Sequence, residues 1–154
     1  MLAQAPPTSA YVHTPFCLSK CHYCDFNSAP GFEWLFGRYA RALVTEIETT
    51  RERAREPQPL RTAYFGGGTP TLLEGDDLAR PLEALRNCFG LAPDAEITTE
   101  ANPGAIDRQK LDFLRSAGFN RLSLGVQSLD DSFLALLGRP HASRHALDAL
   151  AAAR

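Results

Sequence analysis

The chain has 154 residues and a formal net charge of −2, with 44% of its residues hydrophobic and 22% charged; these are the values of a globular protein long enough for one domain with its own core. The small net charge and scattered Lys and Arg exclude a broad nucleic-acid footprint and a polybasic membrane patch. No window approaches the roughly 18 consecutive apolar residues of a membrane span, and residues 1–10 lack the basic and apolar regions of a signal peptide, so the reading is cytoplasmic, where thiols serve as metal ligands or reactive groups more often than as disulfides.

Residues 1–9 read as an N-terminal tail and 10–154 as one domain. Residues 10–13 form a short strand that enters a cysteine-containing loop. The stretch 34–55 reads as a long helix, because Phe36, Tyr39, Ala40, Leu43, Val44 and Ile47 recur at three- and four-residue steps; a charged end followed by Pro57 and Pro59 stops it. Residues 62–65 form a second strand, broken by Gly66-Gly67-Gly68. A helix over about 76–89 places Leu78, Leu82, Leu85 and Phe89 on one face. Pro81 removes a backbone hydrogen bond inside a helix, so the helix either starts there or bends there. Residues 96–100 form a third strand ending at Asn102-Pro103-Gly104. Asp107 caps a helix that runs to residue 117, and Gly118 stops it. Residues 121–125 form a fourth strand. Asp130 caps a short helix expected to bury Leu129, Phe133, Leu136 and Leu137, and a last helix from about residue 143 carries Leu147 and Leu150.

Strands alternating with helices imply right-handed crossovers and a parallel sheet. About four βα units are present, whereas a closed eight-stranded (β/α) barrel typically takes about 250 residues, and the last helical pattern runs to residue 154 with no cap. The expectation is an α/β chain: a partial, truncated (β/α) barrel.

The chemistry concentrates in Cys17-x-x-x-Cys21-x-x-Cys24. Three thiolates on one loop can hold three corners of a cubane iron–sulfur cluster and leave the fourth iron without a protein ligand, unlike the four-cysteine clusters of electron-transfer proteins. An open iron can chelate the amine and carboxylate of an amino acid, and a reduced cluster beside a sulfonium can break a carbon–sulfur bond; the cofactor carries that chemistry while the protein positions it. On spacing alone a zinc site is the rival, with His13 or His22 as fourth ligand. Cys88, between Asn87 and Phe89 on a helix, reads as a buried inert thiol.

Gly66-Gly67-Gly68-Thr69-Pro70 follows the second strand at its C-terminal end, where α/β folds place ligands, and glycines there allow close backbone approach and expose N–H and C=O groups. Glu100 ends the third strand, and Gln127 and Ser128 follow the fourth. The bland alternatives are a tight turn, a solvated strand end and the start of a loop. His13 points the same way as Tyr11 on its strand and reads as a core histidine. His141 and His145 read as solvated. Arg139 and His141, in GRPH, contact either solvent or a ligand.

The segments YVHTPFCLSKCHYCDFNS, YFGGGTPTLL, EITTEANPG and GFNRLSLGVQSLDDSFLALLGRPH, in this order from Tyr11 onward, resemble the radical S-adenosylmethionine (radical SAM) proteins of the oxygen-independent coproporphyrinogen III oxidase group. The likeness is greatest to HemW-type heme chaperones: the oxidases carry a further cysteine where Phe26 stands and an acidic residue where Asn102 stands. The resemblance implies a partial radical SAM (β/α) barrel, with residues 10–154 the N-terminal part of its core domain. It implies that Cys17, Cys21 and Cys24 ligate a [4Fe–4S] cluster, and that Tyr11, Gly67, Gly68, Thr69 and Glu100 line the site of S-adenosyl-L-methionine. Tyr23, Gln127 and Arg139 match positions that meet a second cofactor molecule in the oxidases. Thr14 stands where the family commonly has isoleucine. No catalytic residue is assigned beyond the cluster. The implied function is heme trafficking or porphyrin metabolism, with heme bound by the full-length protein, a low-potential flavodoxin-like electron donor and a heme-accepting protein as partners, and reductive cleavage of the cofactor. The alternatives are the oxidase of porphyrin biosynthesis itself and a non-catalytic zinc- or heme-binding fragment.

Overall fold

The computed structural model describes residues 8–54 and 56–154; residues 1–7 of the expected tail, and residue 55 at the expected end of the long helix, lie outside the described part. Four strands, β1 (Ser9–Thr14), β2 (Leu60–Gly67), β3 (Leu91–Ala101) and β4 (Arg121–Leu124), pair in chain order and all in parallel. Between and after them run α1 (Phe36–Arg53), α2 (Gly75–Phe89), α3 (Arg108–Ala117), α4 (Asp131–Leu136) and α5 (Ser143–Ala153). Adding each new strand to the same edge by right-handed crossovers carries every connecting helix to the same face. This is how a (β/α) barrel grows, and it differs from a doubly wound sheet, whose strand order reverses at a switch point.

The two faces of the sheet accordingly differ. Val12, Phe65 and Ile97 are buried under the helices with Ile47, Leu78, Leu82, Leu85 and Leu114. The opposite face carries the row Tyr11, Tyr64, Thr98 and Arg121, aligned by the strand registers. Side chains alternate along each strand, so residues one step further at the C-terminal ends, such as His13, Glu100 and Ser123, sit on this second, polar face.

Several boundaries move from their sequence positions for identifiable reasons. The strand before the glycines does not break at Gly66 but continues to Gly67, because β1 pairs with it there through His13 and Thr14. β3 starts at Leu91 rather than residue 96 and absorbs the poor strand formers Pro93 and Asp94 in an irregularity opposite Leu60–Thr62. α2 runs through Pro81 without starting there, the proline being buried in the core-facing stripe. Asp107 caps α3 by accepting from Lys110 N at 2.8 Å, and Gly118 ends it at φ 112°, as the residue types require.

The expected burial of α4 is corrected. Leu129, Phe133 and Leu136 are exposed, while Leu134 is buried and Leu137 half-buried. The run FLALL has two apolar stripes at helical spacing, and periodicity cannot choose between them. In α5, Ala146 and Ala149 pack inward and Leu147 and Leu150 face out, since the close approach of α5 to α3 and to the turn Pro103–Ala105 favours small side chains. Among the described residues no helix is long and apolar enough to cross a membrane.

Candidate metal and cofactor site

The cysteine loop leaves β1 at Thr14 and is closed at its base by Ala29 N donating to Pro15 O (2.9 Å) and Cys17 N to Ala29 O (3.2 Å). Its far side is pinned to the end of α4. His22 N donates to Leu137 O at 3.1 Å, and His22 Nδ1 lies 2.9 Å from Leu136 O. Within it, Cys24 N donates to Cys21 O at 3.1 Å. The four cysteines are free and half-buried.

Cys17, Cys21 and Cys24 line one cavity of about 350 Å³ at the C-terminal edge of the sheet, together with Tyr23, Gly67, Gly68, Thr69, Glu100, Asn102, Gln127 and Arg139. Ten of the eleven site residues expected from the sequence therefore meet there. Tyr11 stands apart: it is exposed, its ring stacks on Tyr64 at 6.1 Å, and its hydroxyl lies 3.1 Å from His13 Nδ1. Its link to the cavity runs through Tyr64, whose hydroxyl donates to Glu100 Oε1 at 2.6 Å. That bond, with burial adding to it, pushes the Tyr64 hydroxyl above the usual tyrosine range and keeps it a donor.

The glycine run works differently from a ligand-facing amide cradle. Gly67 N donates to Glu100 Oε2 (3.1 Å), Gly68 N to Thr14 O (2.7 Å) and Thr69 N to Phe16 O (2.7 Å), so these three amides are consumed inside the protein. The glycines instead let the cysteine loop lie against β2. A Cβ on Gly68 would stand 2.3 Å from Phe16 O and 3.0 Å from Cys17 Sγ; one on Gly67, at φ 111°, would meet the His13 ring at 2.6 Å.

A polar chain then crosses the cavity floor. Cys17 Sγ lies 3.4 Å from Ser28 Oγ and 3.9 Å from Thr69 Oγ1. Asn102 Nδ2 donates to Thr69 Oγ1 at 2.9 Å, and Asn102 Oδ1 accepts from Arg139 Nη2, which also donates to Gly125 O at 2.8 Å. Arg139 Nη1 reaches Cys21 Sγ and Tyr23 Oη, both at 3.4 Å. In the sequence Asn102 is a family marker; its position two residues beyond Glu100, on the first turn after the strand, is the signal that it belongs to the site. Gln127 is held at φ 59°, a left-handed conformation that costs a non-glycine residue about 1–2 kcal/mol.

The expectation of a solvated His141 is corrected: it is 5% exposed, with Nε2 3.2 Å from Val126 O and Nδ1 without a partner among the described residues. Burial first, and the Arg139 charge second, push its pKa below the ordinary value. His145 Nδ1 accepts from Ala142 N at 3.0 Å.

Among the described residues no three His, Cys, Asp or Glu side chains stand close enough together to hold a metal ion as they are; the cysteines share a cavity without converging on one point. His13 engages both ring nitrogens, on Tyr11 Oη and on Asn27 O at 2.9 Å, and neither His13 nor His22 lines the cavity. Cys88 is half-buried against the core, on a surface shared by α1 and α2. Three free thiols, a cavity with room for a multi-atom group and a Cβ-free approach at Gly68 fit a sulfur-ligated cluster with an adjoining small molecule.

Residues 11–154 match the Radical SAM superfamily. The chain is 45% identical over 152 residues to the heme chaperone HemW of Synechocystis, covering 95% of this chain and 36% of that protein. It is 40% identical over 146 residues to HemW of Escherichia coli, covering 94% and 38% respectively. Its fold is similar to that of coproporphyrinogen III oxidase (HemN) from Escherichia coli, a radical SAM enzyme, with a TM-score of 0.87 and 34% identity over 97% of this chain and 34% of that one. The chain thus spans little more than a third of the length of these relatives.

Proposed function

The chain belongs to the radical SAM superfamily, and from that membership we propose that Cys17, Cys21 and Cys24 hold a [4Fe–4S] cluster, that S-adenosyl-L-methionine binds beside it, and that the protein serves heme handling, as the HemW relatives do by name. The observation that carries the reading is the meeting of the three thiols, the glycine turn and Glu100 around one cavity at the C-terminal edge of a parallel sheet. When bound, the cluster and its sulfonium cofactor supply reductive cleavage of a carbon–sulfur bond, chemistry outside the reach of side chains.

The chain's own residues bind and orient. The Glu100 carboxylate, held by Tyr64 and Gly67 N, keeps lone pairs for an ammonium group or ribose hydroxyls. Thr69 and Gly68 shape the floor beneath Cys17, and Tyr23 offers an aromatic face at the cavity wall. Gln127 and Arg139 suit a carboxylate, of the same cofactor molecule or of a second one. Tyr11 acts through Tyr64. Heme or porphyrin, a low-potential flavodoxin-like donor and a heme acceptor are the partners this function calls for, in a cytoplasmic setting.

Anaerobic reconstitution tests the reading. About four iron and four sulfide per chain are expected, and Cys24→Ala should lose them. One tightly held zinc without sulfide would select a binding module instead. The fold match to HemN favours the oxidase as second reading; a porphyrinogen decarboxylation assay separates it, and Phe26 at the cavity wall in place of the oxidases' further cysteine weighs against activity there.

A further inference from the structure

We propose that Arg139 sets the reduction potential of the cluster through a charged N–H···S bond to Cys21, an inference that rests on the cluster reading above. The three cysteines are not equivalent. Cys17 meets only neutral hydroxyls, of Ser28 and Thr69. Cys21 meets a guanidinium, Arg139 Nη1, at 3.4 Å.

Three features make that contact more than a passing one. The other edge of the guanidinium is anchored, Nη2 donating to Asn102 Oδ1 and to Gly125 O, so the Nη1 edge is aimed at the loop by groups just beyond the ends of β3 and β4. Arg139 takes part in none of the four ion pairs formed among the described residues. Its Nε is buried without an acceptor among the described residues. With no protein carboxylate paired to it, a partly buried cation needs anionic surroundings before any cofactor carboxylate arrives, and cysteine thiolates on a cluster supply them.

The consequence follows from charge. On reduction the cluster takes one electron from an external reductant and becomes one unit more negative. A fixed positive charge and an N–H donor at a ligating sulfur favour that state over the oxidised one, and hydrogen bonds to sulfur are a principal means by which proteins move such potentials. Arg139 therefore raises the potential and eases loading of the electron.

The test is a dithionite titration of the anaerobically reconstituted chain followed by electron paramagnetic resonance. Arg139→Gln should shift the midpoint to more negative values, and Arg139→Lys, which keeps the charge but loses the fork geometry, should fall between the two. In unsubstituted protein labelled with 15N-arginine, pulsed spectra of the reduced cluster should show a nitrogen coupling, a measurement that needs no variant to fold. A normal cluster with an unmoved midpoint in Arg139→Gln, or with no arginine coupling in the labelled chain, overturns the role of Arg139 alone. Failure of the unsubstituted chain to take up iron and sulfide overturns the cluster reading and this inference with it.

Discussion

At the scale of single residues, Thr14 and His141 carry two of the buried polar atoms near the site that find no partner among the described residues. Thr14 is fully buried and its hydroxyl has no partner among the described residues. An unmade hydrogen bond in a buried hydroxyl costs about 1–3 kcal/mol, so Thr14→Val should stabilise the chain by about 1 kcal/mol and raise its melting temperature by about 2–4 °C; a lower melting temperature would mean that the hydroxyl is satisfied after all. His141 is the second. Its pKa is depressed in the folded state, chiefly by burial, so the folded chain binds fewer protons than the unfolded one. The stability tied to its neutral ring is complete above the unfolded value of about 6.5 and is lost as pH falls toward the lower folded value. Between about pH 8 and pH 5 the melting temperature of the unsubstituted chain should therefore drop more than that of His141→Gln. Equal slopes would show that His141 does not carry this linkage.

Among the elements, the junction of β2 with the cysteine loop is the tightest. Gly68→Ala would drive a Cβ to 2.3 Å from a backbone oxygen, Phe16 O, where no side chain can swing away. The expected result is a loss of about 1–3 kcal/mol and a fall in iron uptake, whereas Gly104→Ala, whose Cβ would meet only His141 Cβ at 3.7 Å, should load normally; full iron uptake by Gly68→Ala would refute the packing argument. What could be read from residue types alone follows the same division between local and distant causes. The cap at Asp107, the stop at Gly118 and the spacing of the three cysteines depend on near neighbours and are visible in the chain. The burial of His141 and the consumption of the amides of the glycine run depend on partners distant in the chain, namely Val126, the backbone of residues 14–16 and the Glu100 carboxylate, and the choice of Leu134 over Phe133 and Leu136 depends on which stripe of α4 meets the rest of the fold. No periodicity encodes those partners.

Across the whole molecule, core and site are held by different means. The core lies between the helices and one face of the sheet, with Phe65, Leu78 and Leu82 at its centre. The cysteine loop is rooted in it only at Phe16, whose buried ring packs on Phe36 and Tyr39; from Cys17 onward it lies outside the core, attached through backbone bonds at Ala29 and Leu137, through the His22 ring and through His13 to Asn27 O. A ligand that binds only the native loop adds stability in proportion to its occupancy, and here that stability should stay local. Loading the cluster should slow hydrogen exchange at Cys17, His22, Cys24 and Ala29 and at the end of α4, while β2 and β3, already protected by the core, change little. Because His22 couples the loop to α4 through its ring and its backbone N–H, the loop and that helix should open and close as one unit; a His22→Ala chain, which keeps only the backbone bond to Leu137 O, should weaken the coupling, so that loading protects the loop more than Leu137. Protection spread evenly over the sheet would instead mean that the loop and the core unfold together, and that the site contributes to global stability.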